Sequence, residues 1–204
     1  MTTENHPFEP FLPANAKILM LGSFPPPEKR WSIVFYYPNF TNDMWRIAGL
    51  VFFGDKEHFI LRTKDGEMLK KFDKQKIVDF CNQAGIAMYD TACKVVRLKD
   101  NASDKFLEVA EASDIPGLLR EIPECNAVVT TGEKATDVVV DMFGCGKPAV
   151  GSWSEFRAET EPGVFRSMKL YRLPSSSRAY PLALEKKAGA YRKMFIETGV
   201  LNPH

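Results

Sequence analysis

The side chains of this chain that could do chemistry are polar residues at the ends of short apolar runs. Ser23, Asp90 and Ser175–Ser177 each stand where such a run stops. Short apolar runs bounded by turn residues are typical of strands covered on both faces, and parallel α/β sheets bind ligands at the carboxyl ends of their strands. We therefore expect a ligand site over Gly22 and Ser23, with the other strand ends beside it.

A second source of chemistry is a loop, residues 35–45, that combines aromatic and amide side chains ahead of a predicted helix. Tyr36 and Tyr37 supply flat rings with hydroxyl tips, and Asn39 and Asn42 supply amides that both donate and accept hydrogen bonds. This combination favours a flat ligand that forms hydrogen bonds.

Several familiar catalytic sites are disfavoured. The histidines are His6, His58 and His204, two of them in terminal segments, and this is poor material for a Ser–His or Cys–His nucleophile. The absence of G-x-S-x-G, Walker A and G-x-G-x-x-G sequences argues against phosphoryl transfer and nicotinamide chemistry. The four cysteines include no C-x-x-C pair, so we expect reduced packing thiols, no metal and no cofactor.

The elements that must position these residues alternate along the chain. Apolar runs predict strands over 17–21, 85–90 and 126–131, and either a hairpin or an edge strand plus the last core strand over 154–159 and 165–173. Spacing and cap residues predict helices that begin at Thr41 or Asn42, Asp73, Ser113, Gly132 and Leu182. The polar segment 94–112 predicts a surface loop with a short helix over 106–110. This order predicts an α/β protein, a three-layer α/β/α sandwich around a short, mainly parallel sheet.

Length and composition predict one domain. The 204 residues are 45% hydrophobic, which is enough for one well-covered core. We expect residues 17–204 to form this domain and residues 1–16 to lie over it as an extended arm. No signal-peptide pattern or membrane-length apolar run is present, so we expect a soluble cytoplasmic monomer, associated with the nucleoid if it is bacterial.

The charge is unevenly distributed. The net charge of +1 gives no overall indication of nucleic-acid binding. Residues 166–193, however, contain eight Lys or Arg side chains and the single acid Glu185. Two interpretations stay open: a positive field that faces a polyanion, or an ordinary helix face on which Lys186, Lys187, Arg192 and Lys193 point to solvent.

Several motifs in order resemble those of the uracil-DNA glycosylase superfamily, nearest its mismatch-specific uracil/thymine and hypoxanthine-DNA glycosylase branches. They are Gly22–Pro25, Phe35–Tyr37, Asn42–Trp45, Gly85–Thr91, Thr131–Ala135 and Leu173–Ser177. The resemblance covers residues 17–195. It implies the uracil-DNA glycosylase fold and cleavage of the N-glycosidic bond of a deaminated base in DNA during base-excision repair. Such enzymes flip the nucleotide into a pocket, because the bond cannot be reached within the base stack.

The resemblance also implies which residues contact the base. Gly22, Ser23 and Phe24 form the first wall, where backbone N–H groups stabilise the departing base. Phe24, with Tyr36 or Tyr37, stacks on the flipped ring.

The first motif departs from the family at Phe24. Many relatives place Asp or Asn there to orient the attacking water. Asn42 matches the Asn of the N-x-[F/M]-W element of the hypoxanthine-type branch, so we expect Asn42 to hold the water, with Asn39 as second choice. The alternative is that Asn42 only caps the following helix.

Asp90 matches the position where uracil-specific members carry an Asn that reads the base. An amide donates and accepts, whereas an ionised carboxylate only accepts. Asp90 therefore favours a base edge with donors, such as the ring N–H of hypoxanthine or xanthine, and leaves uracil as a third substrate. A carboxylate beside a departing anionic base costs energy unless it is protonated. The alternative is that Asp90 caps the next turn through the amides of Thr91 or Ala92.

The remaining motifs imply contacts to DNA. Ser175, Ser176 and Ser177 would bind phosphates, and Arg178 would insert toward the space left by the flipped base. Lys134, at a helix start, would touch a phosphate or simply be exposed.

Two rival functions remain. Phe24 and the neutral net charge suit a non-catalytic module that binds nucleic acid or a nucleobase. A hydrolase of free nucleosides would keep the pocket without needing the basic C-terminal helix.

Overall fold

The computed structural model describes residues 3–98 and 107–203. In chain order its strands are β1 (Thr3–Asn5), β2 (Ile18–Gly22), β3 (Ile60–Arg62), β4 (Met68–Phe72), β5 (Ile86–Asp90), β6 (Ala92–Arg97), β7 (Leu107–Ala112), β8 (Ala127–Thr130), β9 (Ser152–Glu161) and β10 (Val164–Arg172). Its α-helices are α1 (Met44–Phe53), α2 (Lys74–Ala84), α3 (Ile115–Glu121), α4 (Glu133–Phe143) and α5 (Leu184–Glu197).

The central sheet has the strand order β5–β2–β8–β10–β9. β5, β2, β8 and β10 run parallel, and β9 pairs antiparallel with β10 at one edge. The segments 152–161 and 164–172 therefore form a hairpin, in which β9 is the edge strand and β10 is the last core strand. The carboxyl ends of the four parallel strands meet at one edge of the sheet, which is where α/β folds place their ligands.

Both faces of the central sheet are covered. Ile18 and Met20 belong to a core that includes residues of α1, α2 and α5. Leu19 and Leu21 belong to a second core that includes residues of α3 and α4. Alternate residues of β2 thus face opposite layers, as the two-residue period of a strand requires. This confirms the predicted three-layer α/β/α sandwich around a mainly parallel sheet.

The prediction of a surface loop with a short helix over 94–112 is wrong. β6 and β7 pair antiparallel there, and β1 adds to the other side of β6; residues 99–106, which include the first residue of the expected helix, lie outside the described residues. β7 is exposed beyond its first residue, so it lacks the alternation of apolar and polar residues that marks a half-buried strand. The small sheet covers Phe24, which packs with Ala92, Val95 and Leu107.

The predicted helices are present, with small changes at their starts. α1 begins at Met44, and its N-cap position is held by Asp43 rather than by Thr41 or Asn42. α3 is capped by Asp114, whose side chain accepts from the N–H of Gly117 at 2.9 Å, and not by Ser113. Within residues 3–98 and 107–203, no helix is long and apolar enough to cross a membrane.

The cysteines behave as packing residues. Cys81 and Cys125 are buried, Cys93 and Cys145 are partly buried, and all four are free thiols. Burial raises the pKa of the Cys125 thiol to about 11, so it stays protonated and unreactive at neutral pH.

Candidate functional site

A cleft of about 680 Å³ opens at the carboxyl ends of the parallel strands. It brings together all but one of the site residues expected from the sequence. These lining residues are Gly22, Ser23, Phe24, Tyr36, Tyr37, Asn39, Asn42, Asp90, Ser175, Ser176, Ser177 and Arg178. The loop after β2, the aromatic–amide loop and the loop after β10 thus form three walls of one cleft.

Gly22 and Asp90 meet because β2 and β5 pair in parallel with these two residues as register partners. A Cβ atom placed on Gly22 would collide with Oδ1 of Asp90 and lie 3.8 Å from the hydroxyl oxygen of Tyr37. Glycine is therefore required here by a close approach rather than by its backbone angles. Asp90 as a whole is 7% exposed, and its carboxylate lies against the backbone of Gly22.

Asp90 has a partner that the sequence did not reveal. Nε2 of His6 lies 2.9 Å from Oδ2 of Asp90, and the His6 side chain is only 3% exposed. The side chain of Asp90 therefore pairs with His6 rather than capping the next turn; the N–H of Thr91 donates instead to the carbonyl of Gly22. The hydroxyl of buried Ser113 donates to the carbonyl of Asp90 at 2.7 Å, which further fixes the end of β5.

Two aromatic residues that line the cleft, Tyr36 and Phe24, are largely buried. Tyr36 is 2% exposed and donates its hydroxyl to the carbonyl of Glu9 at 2.8 Å. Burial raises the pKa of the Tyr36 phenol far above its usual value, and the charge of Asp90 adds to this effect, so Tyr36 is a neutral donor. Phe24 is 9% exposed and packs edge-on against the His6 ring.

Tyr37 is held in an unusual backbone conformation. Its φ is 50°, the one positive value among the non-glycine residues that the structure describes. Its hydroxyl lies 2.9 Å from Oγ1 of Thr131, across the cleft from its own loop. A non-glycine residue with left-handed backbone angles costs conformational energy, so the surrounding structure must impose this conformation on Tyr37. Tyr37 therefore joins the aromatic–amide loop to the end of β8.

The two asparagines of the aromatic–amide loop both support local structure. Oδ1 of Asn42 accepts from the N–H of Met44 at 2.9 Å, which caps the start of α1. Oδ1 of Asn39 accepts from the N–H and the hydroxyl of Thr41 at 3.0 and 2.9 Å. The amide nitrogen of Asn42 has no hydrogen-bond partner among the described residues, so it is the donor that Asn42 can offer to the cleft.

The loop after β10 is tied to α1 by a buried charge cluster. The N–H of Asp43 donates to the carbonyl of Ser176, and the Asp43 carboxylate receives Lys187 at 3.2 Å and Arg178 at 3.2 Å. Lys187 also donates to the carbonyl of Ser177 at 2.8 Å. The expectation that Lys187 points to solvent is wrong: its side chain is 1% exposed, because it faces the carboxylate of Asp43 just before α1.

The serines of this loop differ in what they present. Ser176 is buried, at 2% exposure. The side-chain oxygens of Ser175 and Ser177 accept backbone N–H groups two residues on, at 3.2 and 3.3 Å. Because those oxygens act as acceptors, their hydroxyl protons remain donors at the rim of the cleft.

Lys134 is the expected site residue that the structure does not bring to the cleft. It lies in the first turn of α4, but its ammonium group donates to the carbonyl of Leu107 on β7. Neighbouring Gly132 and Ala135 line the cleft instead. Among the residues that the structure describes, no cluster of three or more His, Cys, Asp or Glu side chains could hold a metal ion.

The charge cluster predicts a large cost for losing Lys187. Lys187→Ala should lower the free energy of unfolding by about 3–5 kcal/mol, because it leaves Asp43 charged and buried beside a single exposed partner. Lys186→Ala, the exposed neighbour on the same helix, should change it by less than about 0.5 kcal/mol. Urea denaturation of both variants measures the difference, and equal effects would show that Lys187 adds nothing to the cluster.

Comparisons with known proteins support the fold. The structure superposes with TM-score 0.62 on the solution NMR structure of a proposed uracil DNA glycosylase from Methanosarcina acetivorans, at 20% sequence identity, over 97% of this chain and 99% of that one. No protein-family model matches the sequence, and no curated protein matches it. At this level of identity the likeness concerns the fold, and the two chains share it over almost their whole lengths.

Proposed function

We propose that this protein is a DNA glycosylase of the uracil-DNA glycosylase superfamily that hydrolyses the N-glycosidic bond of hypoxanthine, xanthine or uracil in DNA, as a monomer and without a metal. The observation that carries the proposal is the cleft itself. It joins residues of separate sequence motifs at the carboxyl ends of the parallel strands, in a protein with the fold of a proposed uracil DNA glycosylase.

The rim of the cleft suits a nucleic-acid backbone. Ser175 and Ser177 offer hydroxyl donors there, and the side chain of Arg178 is 55% exposed although it also pairs with Asp43. Donors of this kind bind phosphate oxygens and fix the register of a nucleic acid without reading its sequence. Because Asp43 and Lys187 hold the loop rigidly, its donors keep fixed positions before DNA arrives.

The interior of the cleft suits a flipped base. Phe24 and Tyr37 line it with aromatic surface, on which any base can stack. Hydrolysis breaks the bond between C1′ and the base nitrogen, and the electron pair leaves with the base. Water supplies the new C1′–O bond and the protons that balance the reaction. Backbone N–H groups at Ser23 and Phe24 stabilise the charge that develops on the departing ring.

Asn42 is assigned to hold the attacking water. Its Oδ1 accepts from the N–H of Met44, and this hydrogen bond fixes the plane of the side-chain amide. The direction in which the amide nitrogen points is fixed with it. An anchored donor of this kind costs little reorganisation when the reaction begins.

Asp90 is assigned to recognise the base. Oδ2 is occupied by His6, so Oδ1 beside Gly22 is the acceptor left for a ligand. An acceptor in this place selects a base with a ring N–H on the facing edge.

One observation favours a non-catalytic module as a second candidate. Phe24 stands where relatives usually carry a polar group for the water, and it packs into an apolar cluster with Ala92, Val95 and Leu107. A protein of this kind would bind DNA or a nucleobase without cleaving it.

A panel of lesions separates the two candidates. Duplexes that carry one hypoxanthine, xanthine or uracil should yield strand breaks after alkali when they are incubated with the protein, and an undamaged duplex should not. Binding without breaks on every lesion would overturn the glycosylase and support the non-catalytic module.

The role of Asn42 is tested by two substitutions that differ in the helix cap. Asn42→Asp keeps an oxygen for the N–H of Met44 but removes the amide donor, so we expect its kcat to fall by about 100-fold with stability retained. Asn42→Ala should lose both activity and about 1 kcal/mol of stability. Full activity in Asn42→Asp, whose carboxylate can only accept from water, would overturn the assignment of the amide nitrogen as the group that holds the water.

Base recognition is tested by Asp90→Asn. The new amide can accept from His6 through its oxygen and present its nitrogen to the cleft, where it could donate to either of the two carbonyls of uracil, whereas hypoxanthine offers only one. The ratio of kcat/KM for uracil to that for hypoxanthine should rise by about 10-fold or more. An unchanged ratio would remove Asp90 from base recognition.

A further inference from the structure

His6 reaches the cleft from the first residues of the chain. β1 pairs antiparallel with β6, with Asn5 opposite Lys94. The N–H of His6 continues this ladder by donating to the carbonyl of Cys93 at 2.8 Å. The backbone of His6 is therefore fixed by β6, which begins two residues after Asp90.

The imidazole ring of His6 is enclosed by aromatic rings. It contacts Phe8, Phe24, Tyr36 and Tyr89, with ring centroids between 4.7 and 6.2 Å away. With 3% of the side chain exposed, the ring has no room to turn aside. Such packing holds a side chain in one rotamer and so aims its polar atoms.

Both ring nitrogens of His6 have partners. Nε2 faces Oδ2 of Asp90 at 2.9 Å. Nδ1 lies 2.8 Å from the carbonyl oxygen of Phe8 and 3.2 Å from its amide nitrogen. Nδ1 can therefore accept from the Phe8 N–H in the neutral ring or donate to the Phe8 carbonyl in the charged ring. Because an ionised Asp90 carboxylate can only accept, Nε2 is the donor to Asp90 in both of these forms.

The other carboxylate oxygen of Asp90 approaches Gly22 closely. Oδ1 lies against the α-carbon of Gly22, where a single methyl group would displace it. With Oδ2 held by His6 and the Asp90 carbonyl held by Ser113, the carboxylate has one orientation in the wall of the cleft.

We propose that His6 is a positioning residue for base excision, which holds Oδ2 of Asp90 so that Oδ1 stays directed at the flipped base. This inference rests on the proposed function. It makes the first residues of the chain part of the active site. It also answers an electrostatic difficulty, because a hydrogen bond from His6 draws charge from a carboxylate that must sit beside a departing anionic base.

The test compares substitutions that keep or remove the donor. His6→Phe fills the aromatic enclosure without a donor, so kcat on the best lesion should fall by about 100-fold while KM changes by less than about 3-fold. His6→Gln restores an N–H near the place of Nε2 and should recover at least 5-fold of that loss. His58→Phe, which alters a ring stacked on Phe53 away from the cleft, is the matched control and should leave kcat unchanged.

A second test disturbs the other carboxylate oxygen of Asp90, which lies beside Gly22. Gly22→Ala pushes Oδ1 away without touching His6, so it should lower kcat to a similar degree. Because both substitutions disturb one orientation of Asp90, the double variant should lose far less than the product of the single losses. Independent losses, or His6→Gln no better than His6→Phe, would overturn the positioning role.

The outcomes also separate this inference from the proposed function. A wild-type protein that cleaves no lesion defeats the proposed function, and the positioning role falls with it. A wild-type protein that is active while His6→Phe keeps its kcat defeats the positioning role alone. The pair itself is checked by NMR of the 15N-labelled protein: a slowly exchanging imidazole Nε2–H signal should be present and should disappear in Asp90→Ala, and its absence from the wild type would rule out the hydrogen bond.

Discussion

The parallel pairing of β2 with β5 is the constraint on which the site depends. That register sets Gly22 beside Asp90 at the end of the sheet, and the missing side chain of Gly22 leaves just enough space for one carboxylate oxygen. Three further contacts hold this end of the cleft. Ser113 fixes the carbonyl of Asp90, His6 fixes its second oxygen, and Tyr37 closes over the same space from the neighbouring loop.

Two devices outside the central sheet hold the walls of the cleft in place. The small sheet of β1, β6 and β7 delivers His6 and covers Phe24. On the opposite side, Asp43 and Lys187 join α1, α5 and the loop after β10 through one buried ion pair. A buried ion pair of this kind adds little net stability. It does hold its two side chains in place, because either charge left unpaired in the interior would destabilise the fold. These contacts fix the walls of the cleft, and the two larger apolar cores pack the layers of the fold against the central sheet.

The sequence allowed the central architecture to be predicted because its signals are local. Continuous apolar runs mark β2, β5 and β8, and glycines mark the ends of α1 and α4 at Gly54 and Gly144. All but one of the expected site residues line the cleft, because they stand at the ends of the parallel strands or in the loop ahead of α1; that they bind a base or DNA stays a prediction. Contacts that depend on distant partners escaped: Lys187 meets a carboxylate 144 residues away, and His6 meets one 84 residues away. The spacing of apolar residues along the chain cannot reveal such pairs. β7 was missed because its exposed residues do not alternate between apolar and polar side chains.

The pairing of β1 with β6 has a consequence for how the protein is made. The chain leaves the ribosome with its N-terminus first, so the segment that carries His6 is synthesised long before the strand that receives it. β1 cannot pair until residues 92–97 have emerged, and closing a loop of that length must precede any gain from the contacts it allows. The pairing of β2 with β8 joins residues that lie still farther apart in the sequence. The enclosure around Asp90 therefore depends, like the centre of the sheet, on a long-range pairing that cannot begin until residues 92–97 have been made.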